Sequence, residues 1–498
     1  MSLSSAAITA QSGLSTITAE AAVLSQNIAG ANDTGIYSLK TANVISTPSG
    51  SQIASITRAS NQAVFDNLLS ATSANALQQA LSSGLDQLNQ TVGNLSSSSS
   101  STNSTQTSPE ALLSNFTGAL QTYEASPSDS TLASAAVNAA DTLAQGLNSA
   151  TATVNQVREQ ADAGMAASVQ SINSLLSQFQ AVNTQIVSGT ATGADVTDAQ
   201  DTRDNILTQL AQQLGITTTT NPNGSMSIYT DGGVTLFQGG VASTVTFSPT
   251  TTYTPTTAGN AVYVDGVPIT GSSAAMPSIS GNLVGLATLR DNVAVTYQAQ
   301  LDNIAGGLTS EFAESDQAGT GPDLPGLFTT PGATSLPTST AGLAGQITVN
   351  PSVDPNQGGN PLLLRDGGIS GNPNYVYNTT GGASYQGRLS QLLTNLSSTT
   401  SFSAAGGITT SATLDGYATA SAAWLEAQRS NATSQSNYQS TLLSTATTAL
   451  SNATGVNLDT EMSNMLDLEN SYSATAKLLS TLDGMFGTLL TDLGNLPA

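Results

Sequence analysis

Apolar residues recur at alternating steps of four and three along the start of the chain: Leu3, Ala7, Ala10, Leu14, Ile17, Ala21, Leu24 and Ile28. A matching stripe closes it, Met465, Leu468, Tyr472, Leu479, Leu482, Phe486, Leu489 and Leu493, interrupted only at Thr475. Such a strict seam predicts helices that want a partner helix more than a broad core. The two ends are expected to meet as a paired coiled coil. Terminal segments fray unless something ties them down, so the best helical patterns at both termini point to self-assembly, and all these residues are candidates for the assembly interface. Periodicity alone fits an ordinary bundle equally well. Ala7, Ala10 and Ala21 keep the seam thin, and these helices are expected to be weakly ordered until neighbouring subunits pack on them.

Between the ends, proline divides the chain. Thirteen of the 17 prolines lie from Pro222 to Pro373. Proline inside a helix costs about 3 kcal/mol, so long helices are expected in the flanking zones. Val154, Val157, Ala161, Met165, Val169, Ile172, Leu176, Phe179, Val182 and Ile186 keep to one helical face. Leu77, Leu81, Leu85, Leu88, Val92 and Leu95 do likewise, before a Ser/Thr/Asn run from Ser96 to Ser108 that predicts a solvated loop. In the middle zone, Ser225 to Tyr229 and Val234 to Phe237 flank Asp231-Gly232-Gly233, a hairpin pattern. Strand-like pieces follow at Val245 to Phe247 and Val262 to Val264. A helix then resumes with Leu286, Leu289, Val293, Tyr297, Leu301, Ile304, Leu308 and Phe312 in phase.

The expected fold is mainly α with a β-rich insert, comprising paired terminal helices, a long-helix bundle and a small β-hairpin elaboration. Its division is 1–60 with 455–498 as the terminal coiled-coil assembly domain, and 61–215 with 282–328 and 385–454 as the bundle. Residues 216–281 form the insert, and 329–384 an irregular Pro/Gly-rich segment with short strands.

Composition narrows the chemistry by what it lacks. No His or Cys occurs in 498 residues, which removes the usual triads, zinc sites and disulfides. The net charge is -23, and the nine basic residues are scattered singly. Nucleic-acid binding and anionic membranes, which need clustered Lys and Arg, are not expected. No stretch is apolar enough to span a membrane as a helix, and the first basic side chain is Lys40, so an ordinary signal peptide is not expected. Asp201, Arg203 and Asp204 predict a helix-start cap and an ion pair. Asp231, Asp265 and Asp366, beside glycines, predict turns, and the lone Trp424 a core anchor. A carboxylate-dependent hydrolase would need paired acids in a cleft with aromatic platforms, and neither pattern is present. No enzyme activity, catalytic residue, metal or cofactor is expected.

Four stretches carry a resemblance to a known family. Ser25-Gln26-Asn27-Ile28-Ala29, continuing to Asn32 and Gly35, is similar to the motif shared by rod, hook and junction proteins of the flagellar axis. Asn183 to Ile186, Asp201-Thr202-Arg203-Asp204, Asn223-Gly224-Ser225 and Leu236-Phe237-Gln238-Gly239 resemble the bacterial flagellar hook-associated protein 1 family, which forms the hook-filament junction. Gly285-Leu286, Leu289-Arg290-Asp291, Gln300-Leu301-Asp302 and Gly326-Leu327-Phe328 continue the match. Gly455 to Glu461 leads into the final helix much as family members end.

The resemblance implies a non-enzymatic junction subunit that assembles as a ring on the hook tip and supports filament growth. Implied partners are other copies of the chain, the hook protein, the second junction protein and a dedicated export chaperone on the C-terminal helix. It also implies secretion to the flagellum by the flagellar type III pathway without a cleaved signal peptide. Alternatives are another axial protein (second junction protein, hook protein or flagellin) and, remotely, a secreted carboxylate-dependent hydrolase. Two departures stand out. Where the axial motif usually reads Thr-Pro-Gly-Tyr, this chain has Asp33-Thr34-Gly35-Ile36 with Tyr37 one place late, which predicts a looser turn without the usual tyrosine packing. Only Thr329 to Ala341 separates Phe328 from Ile347, so the outward-facing domain of some relatives is expected to be absent.

Overall fold

Helices fill the proline-poor stretches, and the proline-rich middle is mostly turns and loops with short strands and one long interrupted helix. The computed structural model describes residues 3–33, 35–48, 50–93 and 107–494. Leu95, most of the Ser/Thr/Asn run and the side chain of Leu493 lie outside that description. The chain opens with α1 (Leu3–Gly30) and a hairpin of β1 (Lys40–Thr47) and β2 (Gly50–Arg58), then enters α2 (Gln62–Asn89), α3 (Pro109–Ala125), α4 (Ser130–Thr192) and α5 (Thr197–Gln213). β3 (Ile216–Thr220), β4 (Met226–Thr230), β5 (Thr235–Gln238) and β6 (Val241–Ala242) form an antiparallel meander. β7 (Val245–Thr246), β8 (Tyr263–Val264) and β9 (Val267–Pro268) form a second one. α6 (Asn282–Thr288), a π-turn at Leu289–Val293 and α7 (Ala294–Glu311) follow. Next come β10 (Phe328–Thr329), β11 (Thr348–Val349), α8 (Leu363–Asp366), α9 (Gly387–Ser397), β12 (Thr400–Ser401) and β13 (Ser411–Ala412). The chain then runs through α10 (Leu414–Thr454) into α11 (Leu458–Gly494).

α4 is the spine. At a rise of 1.5 Å per residue its 63 residues reach about 95 Å. Asp129 caps its start by accepting from the Thr131 and Leu132 amides, and Gly193, at φ 73°, ends it in the left-handed conformation. The stripe predicted from Val154 to Ile186 is buried except for Val182, which is half-buried. Two cores form along this spine. One gathers Phe116, Phe312 and Phe328, with ring centroids 5.2 to 5.6 Å apart, between α3, α4, α7 and β10. The other joins the far half of α4 to α5 and the β insert, where Phe179 meets Phe237 edge-on at 4.9 Å.

Several expectations need adjusting. α2 begins at Gln62, earlier than its leucine stripe, and ends at Asn89, leaving Val92 buried in the following turn. The helix expected from Leu286 to Phe312 is interrupted by the π-turn. Its apolar steps from Leu289 through Val293 and Tyr297 to Leu301 are all four residues, longer than the 3.6 of an α-helix, and one wider turn absorbs the excess. There the fully buried Arg290 pairs with Asp162 and Asp291, and its carbonyl accepts from Arg158 Nε at 3.2 Å. Two arginines that read as isolated in sequence thus share one buried cluster. Asp231 and Asp265 do sit at turns, whereas Asp366 is the last residue of the short helix α8; Asp231 also accepts from the Ser278 and Ser280 hydroxyls at 2.5 and 2.7 Å, pinning the insert to the segment before α6. Trp424 is half-buried against the first core. Thr330 to Ala341 carries turns and bends only.

Candidate assembly interface

The terminal helices meet, and they run antiparallel. Asn27, near the end of α1, reaches Glu461 at the start of α11, while Gly13 lies opposite Thr475. Continuing that register brings Leu3 opposite Met485, and α11 extends beyond it to Gly494. Along the seam Ala10 is buried and Leu3, Ala7, Leu14, Ile17, Ala21, Leu24 and Ile28 are half-buried, as are Met465, Leu468, Leu479, Leu482 and Phe486. Tyr472 and Leu489 depart from the expected seam, 47% and 54% exposed. Thr475, which interrupts the stripe, is half-buried, facing the glycine where the helices come close.

α1 has a second buried face that hydrophobic periodicity does not report, because it is largely polar. The Ser12 and Thr16 hydroxyls both donate to the Ser51 carbonyl of β2, at 2.5 and 2.8 Å. Gly50 comes so near that a Cβ there would lie 2.6 Å from Ser12, and its φ of 129° suits glycine. At the other end of this face, Asn27 is 1% exposed and uses its amide fully. Its Nδ2 donates to the Lys40 carbonyl and to Glu461 Oε2, both at 2.9 Å, and its Oδ1 accepts from the Lys40 amide and the Tyr37 hydroxyl, both at 3.0 Å. One side chain from the axial motif therefore ties α1, the hairpin and α11 together.

Tyr37 does have a packing role, contrary to the sequence expectation. Its ring covers Gly30, where a Cβ would fall 2.5 Å from the ring, and Lys40 Nζ sits 4.5 Å from the ring centroid. Burial raises the phenol's pKa, and the Asp201, Asp198 and Glu461 carboxylates add to the effect.

The hairpin base also meets α5. Lys40 and Arg58 are cross-strand partners there. Asp198, Asp201 and Asp204 recur every three residues on α5 and so share a face. Lys40 Nζ pairs with Asp198 and lies 3.6 Å from Asp201; Arg58 donates to Asp201 at 2.9 Å and to Asp204 at 2.6 Å. Burial opposes the Arg58 charge, but Asp204 and Asp201 outweigh it and leave the guanidinium pKa above its usual value. Burial likewise pushes the Asp204 carboxyl up, against the pull of Arg58. The expected ion pair is present, but its main cations come from Lys40 and Arg58, far away in sequence. The helix-start cap is not: the N-cap position is Val196, without a side-chain cap, and Arg203 donates instead to the Gly224 carbonyl at 2.8 Å. Among the described residues no group of acidic side chains is placed to hold a metal, and no helix is long and apolar enough to cross a membrane.

Two family models match in separate places. Residues 96–330 match the flagellar hook-associated protein FlgK helical domain, and residues 449–492 match the flagellar basal body rod FlgEFG protein C-terminal region. Just under half of the chain is thus similar to the FlgK helical domain, and its last long helix is similar to the FlgEFG-type C-terminal region. The FlgK helical-domain match spans α3 to α7 with the β insert, and the second match takes in most of α11. Among solved structures it is similar to the flagellar hook junction protein FlgK from Burkholderia pseudomallei, at 23% identity and a TM-score of 0.40. That match covers 53% of this chain and 46% of the other, so the chain spans about half the length of that relative. No curated protein matches. The two family matches support a structural role in the bacterial flagellar axis.

Proposed function

We propose that the chain is the structural subunit of the hook-filament junction, assembling as a ring on the hook tip and supporting filament growth. The observation that carries this reading is the apolar surface left uncovered on the paired terminal helices. On α11, Leu466, Leu478, Met485 and Leu490 are 60%, 52%, 50% and 70% exposed, and Val44 and Ile45 add 40% and 45% on the hairpin. A monomer gains nothing from exposing this set, whereas burying one leucine against a neighbour contributes about 2 kcal/mol. In this reading the seam residues build the pair. Tyr472 and Leu489, with Met485 and Leu490, face the next subunit.

The partners are other copies of the chain, the hook protein and the second junction protein, with an export chaperone covering the C-terminal helix beforehand. Export follows the flagellar type III route. The four-part domain division set out above belongs to the same proposal. So does the absence of catalysis, for which the lack of His and Cys is the support. Complementation tests it. Met485→Asp with Leu490→Asp adds charge to exposed positions, so the protein should fold and be exported while filaments fail to form. Full filaments from that variant would refute the assembly role of this surface.

A further inference from the structure

The terminal unit, comprising α1, the hairpin and α11, joins the rest of the molecule through two short covalent linkers, 59–61 and 455–457. Its internal ties are dense, since Asn27 alone bonds the hairpin and α11, and Ser12 and Thr16 hold β2. Its ties to the body are of another kind. The Leu39 amide donates to the Thr454 carbonyl at 2.7 Å, beside one linker. Beside the other linker, where Arg58 ends β2, stands the ionic cluster of Lys40 and Arg58 against Asp198, Asp201 and Asp204. The Lys40 side chain is 1% exposed, Asp201 10%, Arg58 11% and Asp204 19%, with Asp198 at 80% forming the solvent edge. The two cations sit side by side across the hairpin base, and the three carboxylates lie along one helix face. This geometry resists rotation of the hairpin against α5, because turning it in either direction parts at least one buried charge from its partner.

We propose that this cluster is a latch that sets the angle of the terminal unit on the body. Neutralising it lets that unit swing, still folded, about residues 59–61 and 455–457. The inference stands whether or not the terminal pair is an assembly surface.

The chain has no cysteine, so spin labels can be placed uniquely. One pair, Ser177→Cys on α4 with Ser480→Cys on α11, reports the angle between unit and body; a second, Ser15→Cys with Ser473→Cys, reports the helix pair itself. All four positions are exposed. Electron-electron distance measurements on dilute monomer should give narrow distributions for both pairs in the otherwise native chain. With Asp198→Asn, Asp201→Asn and Asp204→Asn together, the 177–480 distribution should broaden severalfold, while 15–473 stays narrow and helical circular dichroism is unchanged. A 177–480 distribution that stays narrow overturns the latch. Broadening of both pairs overturns it too, because the unit would then be melting, not swinging. If the triple variant does not fold, Arg58→Gln alone carries the same test with the same two outcomes.

Discussion

Glu311 closes α7 with only 9% of its surface exposed and no hydrogen-bond partner for either carboxylate oxygen. Its backbone carbonyl accepts from Asn395 Nδ2 at 2.9 Å, which holds the residue in place. Burial alone pushes its carboxyl up to about 8 from an ordinary 4.5. The folded chain therefore binds this proton more tightly than the unfolded chain. The stability so gained is fully present below pH 4.5 and is lost as pH rises through 8. At about 1.4 kcal/mol per pKa unit, the loss across that window is about 5 kcal/mol, of which about 3 kcal/mol is gone by pH 7. Glu311→Gln keeps the shape and removes the ionisation. It should stabilise the first core by about 1–3 kcal/mol at pH 7, with a larger gain at pH 9 and almost none at pH 4. The assay is urea denaturation across that range, followed by fluorescence of Trp424, which packs on the core that contains Phe312. Asp302 and Glu314, also raised by burial, contribute their own pH dependence, so the difference between variant and native chain is the quantity to read. A difference that does not grow from pH 4 to pH 9 would refute the reasoning.

Hydrogen exchange on the purified monomer should be faster along α1 and α11, which are folded but bury few side chains, than from 154 to 186 in α4; equal protection of the three would contradict the thin-seam argument. Gly30→Val drives a side chain into the Tyr37 ring and should destabilise the terminal unit by about 1–3 kcal/mol, read as earlier melting of α1 and α11 with the body's transition unmoved. An unchanged melting profile would mean that the Tyr37 packing contributes nothing.

The sequence revealed most where side chains are apolar and their order local. The α4 stripe, the β4–β5 hairpin and the terminal seams each repeat a periodicity that one element's own geometry imposes. It was silent where contacts are polar and distant. The Asn27 knot and the second face of α1 are built from Ser, Thr and Asn, which carry no hydrophobic signal, although Ser12 and Thr16 keep a helical step. The β1–β2 hairpin could have been found from the β-branched residues on either side of Pro48 and Gly50, Val44, Ile45 and Thr47 before them and Ile53, Ile56 and Thr57 after. Asp201, Arg203 and Asp204 looked like a local cap and ion pair because the main cations, Lys40 and Arg58, lie more than a hundred residues upstream, and Asp198 carried no signal at all. Only the tertiary fold, which sets the hairpin base against α5, brings them together. Tyr472 shows the opposite failure, fitting the heptad by spacing yet lying outside the seam.

The central claim is that this chain builds the junction on which the filament grows. Electron microscopy of flagella from a strain deleted for it tests that most directly. The account predicts hooks without filaments, with filament protein shed into the medium and filaments restored by the native chain. Normal filaments in the deletion strain would contradict it.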